Sequence, residues 1–210
     1  MRRPRIAVVD YGIGNLHSAR KAHERAGAAA ELTSDPATIT AADAVVLPGV
    51  GNFGSCLAAL RDRGLDDPVR EASAGLPFLG ICVGAQMLFD ASDESPDATG
   101  LGIIGGTVRW IPSGPKRPQM QWNRIDVTTS DEVLFAGLEE APWFYFAHSL
   151  HAVPDEGGHV AATCSYGSPL NAAFRRDKVF ATQFHPEKSG ANGLRLIANF
   201  VEVAARAAAP

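Results

Sequence analysis

The chain has 210 residues, a formal net charge of −4, and 46% apolar and 20% charged residues, a balance that suits a globular protein with a sizeable core. Mild acidity with scattered Lys and Arg argues against a nucleic-acid partner. No apolar run reaches the roughly 18 residues of a membrane span, and Ile6 to Val9 is too brief for a secretion signal.

Three cysteines, Cys56, Cys82 and Cys164, make no CxxC pair and leave one over, which fits free thiols in a reducing compartment. A cytoplasmic chain is expected. Neither HExxH nor a Cys/His cluster is present, so no metal and no cofactor are expected.

In chain order, residues 5–10 read as a buried strand and 15–26 as a helix, with Leu16, Ala19, His23 and Ala26 on one side and Gly27 as its stop. Between them Gly12-Ile13-Gly14 resembles the start of a dinucleotide fingerprint, and Glu31 falls near the ribose spacing. His17 stands where the third glycine belongs, so the fingerprint is incomplete. Strands follow at 28–33 and 44–47, the latter ending in Pro48-Gly49-Val50-Gly51, and helical turns at 54–63 and 67–74. Strand–helix alternation as far as residue 90 predicts a parallel, doubly wound sheet with its loops gathered at one edge.

The texture then changes. Residues 92–100 form a polar loop and 107–111 a strand, while three prolines and a glycine across 112–118 exclude regular structure. Alternating stretches at 121–128, 143–149, 160–166 and 170–175 predict strands with mostly hairpin-like spacing. A last helix at 191–206 is expected to turn Leu194, Ile197, Ala198, Val201 and Ala205 to the sheet. The predicted fold class is α/β. It has a doubly wound, mostly parallel sheet with antiparallel strands added in the second half, flanked by helices, and one domain spans 1–210.

Two stretches carry chemistry. Leu76 to Phe89 places Gly80-Ile81-Cys82-Val83-Gly84 between an apolar strand and a helix-like pattern, the arrangement of a nucleophile elbow with cysteine as nucleophile. The tight turn needs small neighbours, and the helix start offers free N–H groups beside the sulfur. About a hundred residues on, the strand Val179–Phe184 ends in His185-Pro186-Glu187. Residues two apart on extended chain point the same way, so the carboxylate can fix the imidazole's tautomer. Nucleophile, base and orienter are then all present. The glycines of Gly49-Val50-Gly51 free backbone N–H groups to face an oxyanion.

These residues resemble the class I (triad-type) glutamine amidotransferases. Four further stretches, Asp10–Leu16, Pro48–Phe53, Met120–Asn123 and Phe144–Ser149, narrow the likeness to the glutaminase subunits of imidazole glycerol phosphate synthases in histidine biosynthesis. The resemblance implies Cys82, His185 and Glu187 as catalytic residues and an oxyanion hole at Gly49, Val50 and Val83. It implies glutamine binding by Gly51, Gln86, Ser149 and Leu150. It also implies a heterodimer with a (β/α)8-barrel cyclase that takes the ammonia, through an interface at Pro118, Met120, Trp122, Asn123, Tyr145 and Lys188. Departures from the family's usual motifs occur at Gln119 and Gln121, where His and Gly are common, and at Leu150, where Tyr is common; they bear on the partner-facing loop and the pocket rim. Rival readings are the glutaminase subunit of pyridoxal phosphate or anthranilate synthesis, a catalytically silent partner of the same fold, and a cysteine peptidase or amidase.

Overall fold

The computed structural model describes residues 2–112, 116–128 and 132–208; of the irregular stretch expected at 112–118, residues 113–115 lie outside these. The first half runs β1 (Arg5–Val9), α1 (Leu16–Arg25), β2 (Ala29–Thr33), α2 (Pro36–Thr40), β3 (Ala44–Gly49), α3 (Phe53–Asp62), α4 (Asp66–Gly75), β4 (Phe78–Cys82) and α5 (Val83–Gln86). The second runs β5 (Ala91–Ser92), β6 (Gly106–Trp110), β7 (Gln119–Arg124), β8 (Asp126–Val127), β9 (Trp143–His148), β10 (Leu150–Pro154), β11 (Val160–Ser165), β12 (Pro169–Arg176), β13 (Val179–Thr182) and α6 (Gly190–Ala207).

Strands β1, β3, β4 and β13 are apolar runs buried almost end to end, the pattern of strands covered on both faces. They lie in an eight-stranded sheet of order β2-β1-β3-β4-β13-β12-β11-β8. Pairing is parallel from β2 to β13 and antiparallel beyond it, as the sequence predicts. Right-handed crossovers in this order carry α1 to one face and α2, α3 and α4 to the other. α1 accordingly packs on α6, while α4 packs on α2 and α3. The register aligns Gly49 with Cys82 and Ile81 with Thr182, so the chain leaving β3, β4 and β13 converges at one sheet edge.

The second half departs from a run of hairpins. The stretch 121–128 breaks at Ile125, which is buried; β7 pairs with β9 in a separate ribbon, and β8 joins β11 on the main sheet. Only Ser149 separates β9 from β10, yet β10 belongs to a third sheet with β6 and β5. β10 itself escapes the alternation rule because Leu150, His151 and Ala152 are buried in succession. Helix α2 is an addition too, signalled by Asp35, whose carboxylate caps the Ala37 and Thr38 amides at 3.2 Å ahead of Pro36. The buried face of α6 is rotated from the predicted one. It centres on Leu196, Ile197, Phe200 and Ala204, because Phe200 meets Phe180 and His23 edge-on at 6.2 and 6.0 Å; Leu194, Ala198 and Ala205 are only half-buried.

Candidate active site

The elbow is held by contacts that admit glycine alone. Cys82 sits at φ 55° and ψ −113°, a conformation that bulky residues avoid. A Cβ on Gly80 would stand 2.8 Å from the Ala85 Cα, and one on Gly84 would run into the Leu47 carbonyl of β3. The helix after the sulfur is a single turn, shorter than the apolar pattern suggests. The Leu88 and Phe89 amides tighten onto partners three residues back, and Asp90 then bonds across to Gly106. Cys82 is the N-cap of that one turn, so any help to the sulfur comes from the turn's free N–H groups rather than from a long dipole.

His185 reaches the same point from β13. Its amide donates to the Tyr145 carbonyl of β9 at 2.9 Å, and its carbonyl accepts from the Ser189 hydroxyl at 2.6 Å. Phe184 stacks on Phe144 at 4.2 Å and meets Phe146 at 5.6 Å, which presses the segment against β9. His185 Nδ1 pairs with Glu187 Oε1 at 2.8 Å, and both side chains are almost wholly buried, at 3% and 2% exposure. The other ring nitrogen is left for the Cys82 side, where sulfur and imidazole line the same pocket. Burial pulls the His185 pKa down, but the hydrogen bonds and charges of Cys82 and Glu187 outweigh it and raise the value to about 10. The imidazole is thus held protonated at neutral pH.

A cavity of about 300 Å³ opens onto the sulfur. Of the predicted residues, Val50, Gly51, Cys82, Val83, Gln86, Ser149, Leu150, His185, Pro118 and Lys188 line it. Gly49 lies beneath, where an added Cβ would touch Val83 and the Tyr11 hydroxyl at 2.9 Å. Glu187 stands behind the imidazole. Gln86 is buried, with Nε2 donating to Gln183 Oε1 at 2.9 Å and to the Leu150 carbonyl at 3.4 Å, so it is no solvent-facing helix residue. The loop bearing Val50 is clamped on either side. Tyr11 donates to the Pro48 carbonyl at 2.8 Å, and the Cys56 thiol to the Val50 carbonyl at 3.3 Å. A larger cavity of about 680 Å³, around Thr128, Glu132, Asp155 and Arg175, contains none of these groups.

The remaining predicted residues lie outside the pocket. Met120 and Trp122 are exposed at 65% and 47%, and Tyr145 meets Trp122 edge-on at 6.2 Å. Asn123 turns away and donates to the Ser165 carbonyl at 2.9 Å. The dinucleotide-like loop is occupied by Arg63, which donates to the Asp10 carbonyl at 3.0 Å.

Sequence reasoning missed three residues. Glu94 lines the pocket from the loop 92–100; its Oε2 accepts from the Phe53 amide at 2.9 Å, and nothing in a polar loop marks it out. His148 hydrogen-bonds through Nδ1 to the Leu150 carbonyl at 2.7 Å and through Nε2 to Gln119 at 2.8 Å. Burial, with the charges of His151 and His185, lowers its pKa to about 4 despite the Leu150 bond, so His148 is neutral. Its one N–H, on Nδ1, donates to the Leu150 carbonyl. Nε2 accepts from the Gln119 carboxamide once that group is turned to present its nitrogen, which otherwise has no partner. Gln119 is therefore a buried support of the pocket wall and not a partner-facing residue. The third, Gln183, is taken up below.

A cysteine on a strand–turn–helix elbow, a buried His–Glu pair beside it and a small pocket lined by backbone define a triad amidotransferase. The glutamine amidotransferase class-I family matches residues 7–204, and the chain belongs to that family. Among its relatives, the imidazole glycerol phosphate synthase subunit HisH of Synechococcus elongatus is 51% identical over 208 residues, covering 97% of this chain and 95% of that protein. The HisH subunit of Methylococcus capsulatus is 49% identical, covering 93% and 95%. A solved structure of PurLQS from Thermotoga maritima has the same fold, with a TM-score of 0.76 at 20% identity over 96% of this chain and 99% of that one.

Proposed function

We propose that the whole chain works as one domain, the glutaminase subunit of an imidazole glycerol phosphate synthase, hydrolysing L-glutamine to glutamate and ammonia in the cytoplasm. The observation that carries the reading is the buried line Cys82–His185–Glu187 on a pocket sized for a free amino acid rather than a peptide. Cys82 attacks the side-chain amide carbon, and the carbonyl oxygen becomes an oxyanion held by the Val50 and Val83 amides. The His185 imidazolium gives its proton to the departing nitrogen, which leaves as ammonia. The imidazole then takes a proton from water, whose oxygen attacks the thioester carbon and releases glutamate and Cys82. Glu187 keeps the ring aligned. Glu94, whose carboxylate lines the pocket, offers the negative charge that a substrate ammonium needs. Gly51, Gln86 and the backbone at Ser149 and Leu150 hold the rest of glutamine.

Free ammonia would be protonated and lost in water, so a partner must take it directly. We assign that role to a (β/α)8-barrel cyclase docked over Pro118, Met120, Trp122, Tyr145 and Lys188. Met120 and Trp122 are large, apolar and exposed beside the pocket mouth, which supports this surface. Asn123 supports it only indirectly, since its amide braces the ribbon onto Ser165.

The test is glutamate release by the chain mixed with its cyclase, with Cys82→Ser as the companion variant. The expected result is loss of glutamine-dependent synthesis in the variant, while synthesis from added ammonium salt continues. Glutamate release at the wild-type rate by Cys82→Ser would overturn the assignment.

A further inference from the structure

One buried side chain touches both the sulfur and the glutamine pocket without a role in the reaction as written. Gln183, 1% exposed, follows β13 by one residue, and its amide donates to the Ala172 carbonyl of β12 at 2.9 Å, so its backbone is fixed. It stands two residues before His185, in the bend just past the end of β13, and both side chains come to the sulfur or its pocket. Its Oε1 accepts from Gln86 Nε2 at 2.9 Å, and its Nε2 stands 3.8 Å from the Cys82 sulfur. Each end of the carboxamide is thereby fixed by chemistry: the oxygen meets an N–H donor and the nitrogen meets sulfur. The reverse orientation would set oxygen against sulfur and N–H against N–H.

We propose that Gln183 is a positioning residue that sets both the attacking sulfur and the polarity of Gln86. Toward sulfur it supplies an N–H bond that stabilises negative charge yet carries no proton it can lose, unlike the imidazolium on the other side. Toward Gln86 the effect is on selectivity. With its nitrogen held by Gln183 and by the Leu150 carbonyl, Gln86 has only its oxygen left for the pocket. An oxygen accepts and cannot donate, so it favours a substrate N–H and disfavours a carboxylate. Glutamine has a side-chain N–H and glutamate, the product, has none. Gln183 would in this way help the site admit substrate and shed product.

The proposal rests on Cys82 being the nucleophile of a glutaminase, and two substitutions in the complex with the cyclase separate its parts. Gln183→Glu keeps an acceptor for Gln86 but puts an anion beside the sulfur. Gln183→Met keeps the volume and loses both contacts. Iodoacetamide alkylation of Cys82 at neutral pH, read by peptide mass spectrometry, is expected to slow about tenfold in the Met variant and further in the Glu variant. kcat should fall in step in both. Only Gln183→Met should also raise KM and tighten inhibition by glutamate, because Gln86 is then free to turn its nitrogen into the pocket. A defect confined to folding would leave the alkylation order and the glutamate-to-glutamine preference unchanged in whichever variant folds, and that result would overturn the proposal. Wild-type complex that releases no glutamate would instead overturn the glutaminase reading, so the two failures are distinct.

Discussion

The parallel half and the small-sheet half of this molecule solve different problems. Strands β3, β4 and β13 are buried along their whole length, and they deliver the oxyanion loop, Cys82 and the Gln183–His185 segment to one edge. The β7–β9 ribbon exposes or alternates its residues, and with β10 of the β5–β6–β10 sheet it delivers the pocket wall at His148–Leu150 and the outer face at Met120 and Trp122. The reacting atoms thus hang from backbone that cannot shift without breaking the core. The docking surface proposed above rests instead on outward side chains, Met120 and Trp122, of a ribbon whose inner face is closed by Phe144 and Phe146. A substitution in the parallel frame should cost chemistry and stability together, whereas one on the exposed outer face of the ribbon, at Met120 or Trp122, should cost recognition alone.

Gly84→Ala presses that contrast hardest. Its Cβ would collide with the Leu47 carbonyl, which belongs to a fully buried strand and has nowhere to retreat. Overpacking of this kind costs about 3 kcal/mol or more, a fall of roughly 6–12 °C in Tm for a chain of this size. A displacement of the elbow by about 1 Å should also lower kcat on the order of 100-fold. Gly75→Ala is the control, since nothing lies within 4 Å of its added Cβ at the end of α4. Differential scanning fluorimetry and glutamate release measure both effects, and normal melting of Gly84→Ala would show the elbow to be looser than drawn.

How legible each half is in the sequence follows the same line. Gly80, Gly84, Cys82, His185 and Glu187 are readable because each lies close to its partner in the chain: an elbow fixes its own turn, and Glu187 follows His185 by two residues. Glu187 nevertheless reaches the imidazole from a 3-10 turn over Pro186–Lys188 and not from the extended chain expected. The parallel strands of the first half are readable because strands covered on both faces write continuous apolar runs, though their order in the sheet is not. Glu94, His148 and Gln183 are not, since each acts through partners far along the chain, such as Gln183 to Gln86 and His148 to Gln119. The pairing of β7 with β9 and of β10 with β6 is hidden for the same reason. Alternation predicts a strand but not its neighbour.

Glu187→Gln sharpens the comparison inside the rigid half. The carboxylate is among the groups that hold the His185 pKa up near 10 against burial. Without it the value falls toward 6.5, the ordinary one, and the alkaline limb of kcat/KM should move to lower pH, with kcat down roughly 10- to 100-fold. The stability sign is fixed by the same shift. A raised histidine pKa contributes stability that is complete below about 6.5 and fades as pH rises through about 10. Wild type should therefore lose melting temperature across that window, and Glu187→Gln should lose less. A pH–rate profile and a pH series of melts check both, and an unmoved alkaline limb would mean the carboxylate acts by shape alone.

Trp122→Ala addresses the other half and should give the smallest response on the lone chain. The indole is 47% exposed, lies on the β7–β9 ribbon and touches Tyr145 edge-on, so its removal opens no cavity in the core. Melting temperature should stay within about 2 °C of wild type, as for surface substitutions in general. A large aromatic beside the pocket mouth is nevertheless the kind of residue that carries an interface, and truncating one costs about 2 kcal/mol of binding, close to 30-fold in Kd. Titration against the cyclase measures that loss, and Trp143→Ala on the adjacent strand, 45% exposed, maps how far the contact extends. If Trp122→Ala lowers Tm as much as a core substitution does, the ribbon is part of the rigid frame and the division between the halves fails. If Tm and Kd both hold, the frame survives and the docking surface lies elsewhere on the pocket rim, with Lys188 and Pro118 the next positions to truncate.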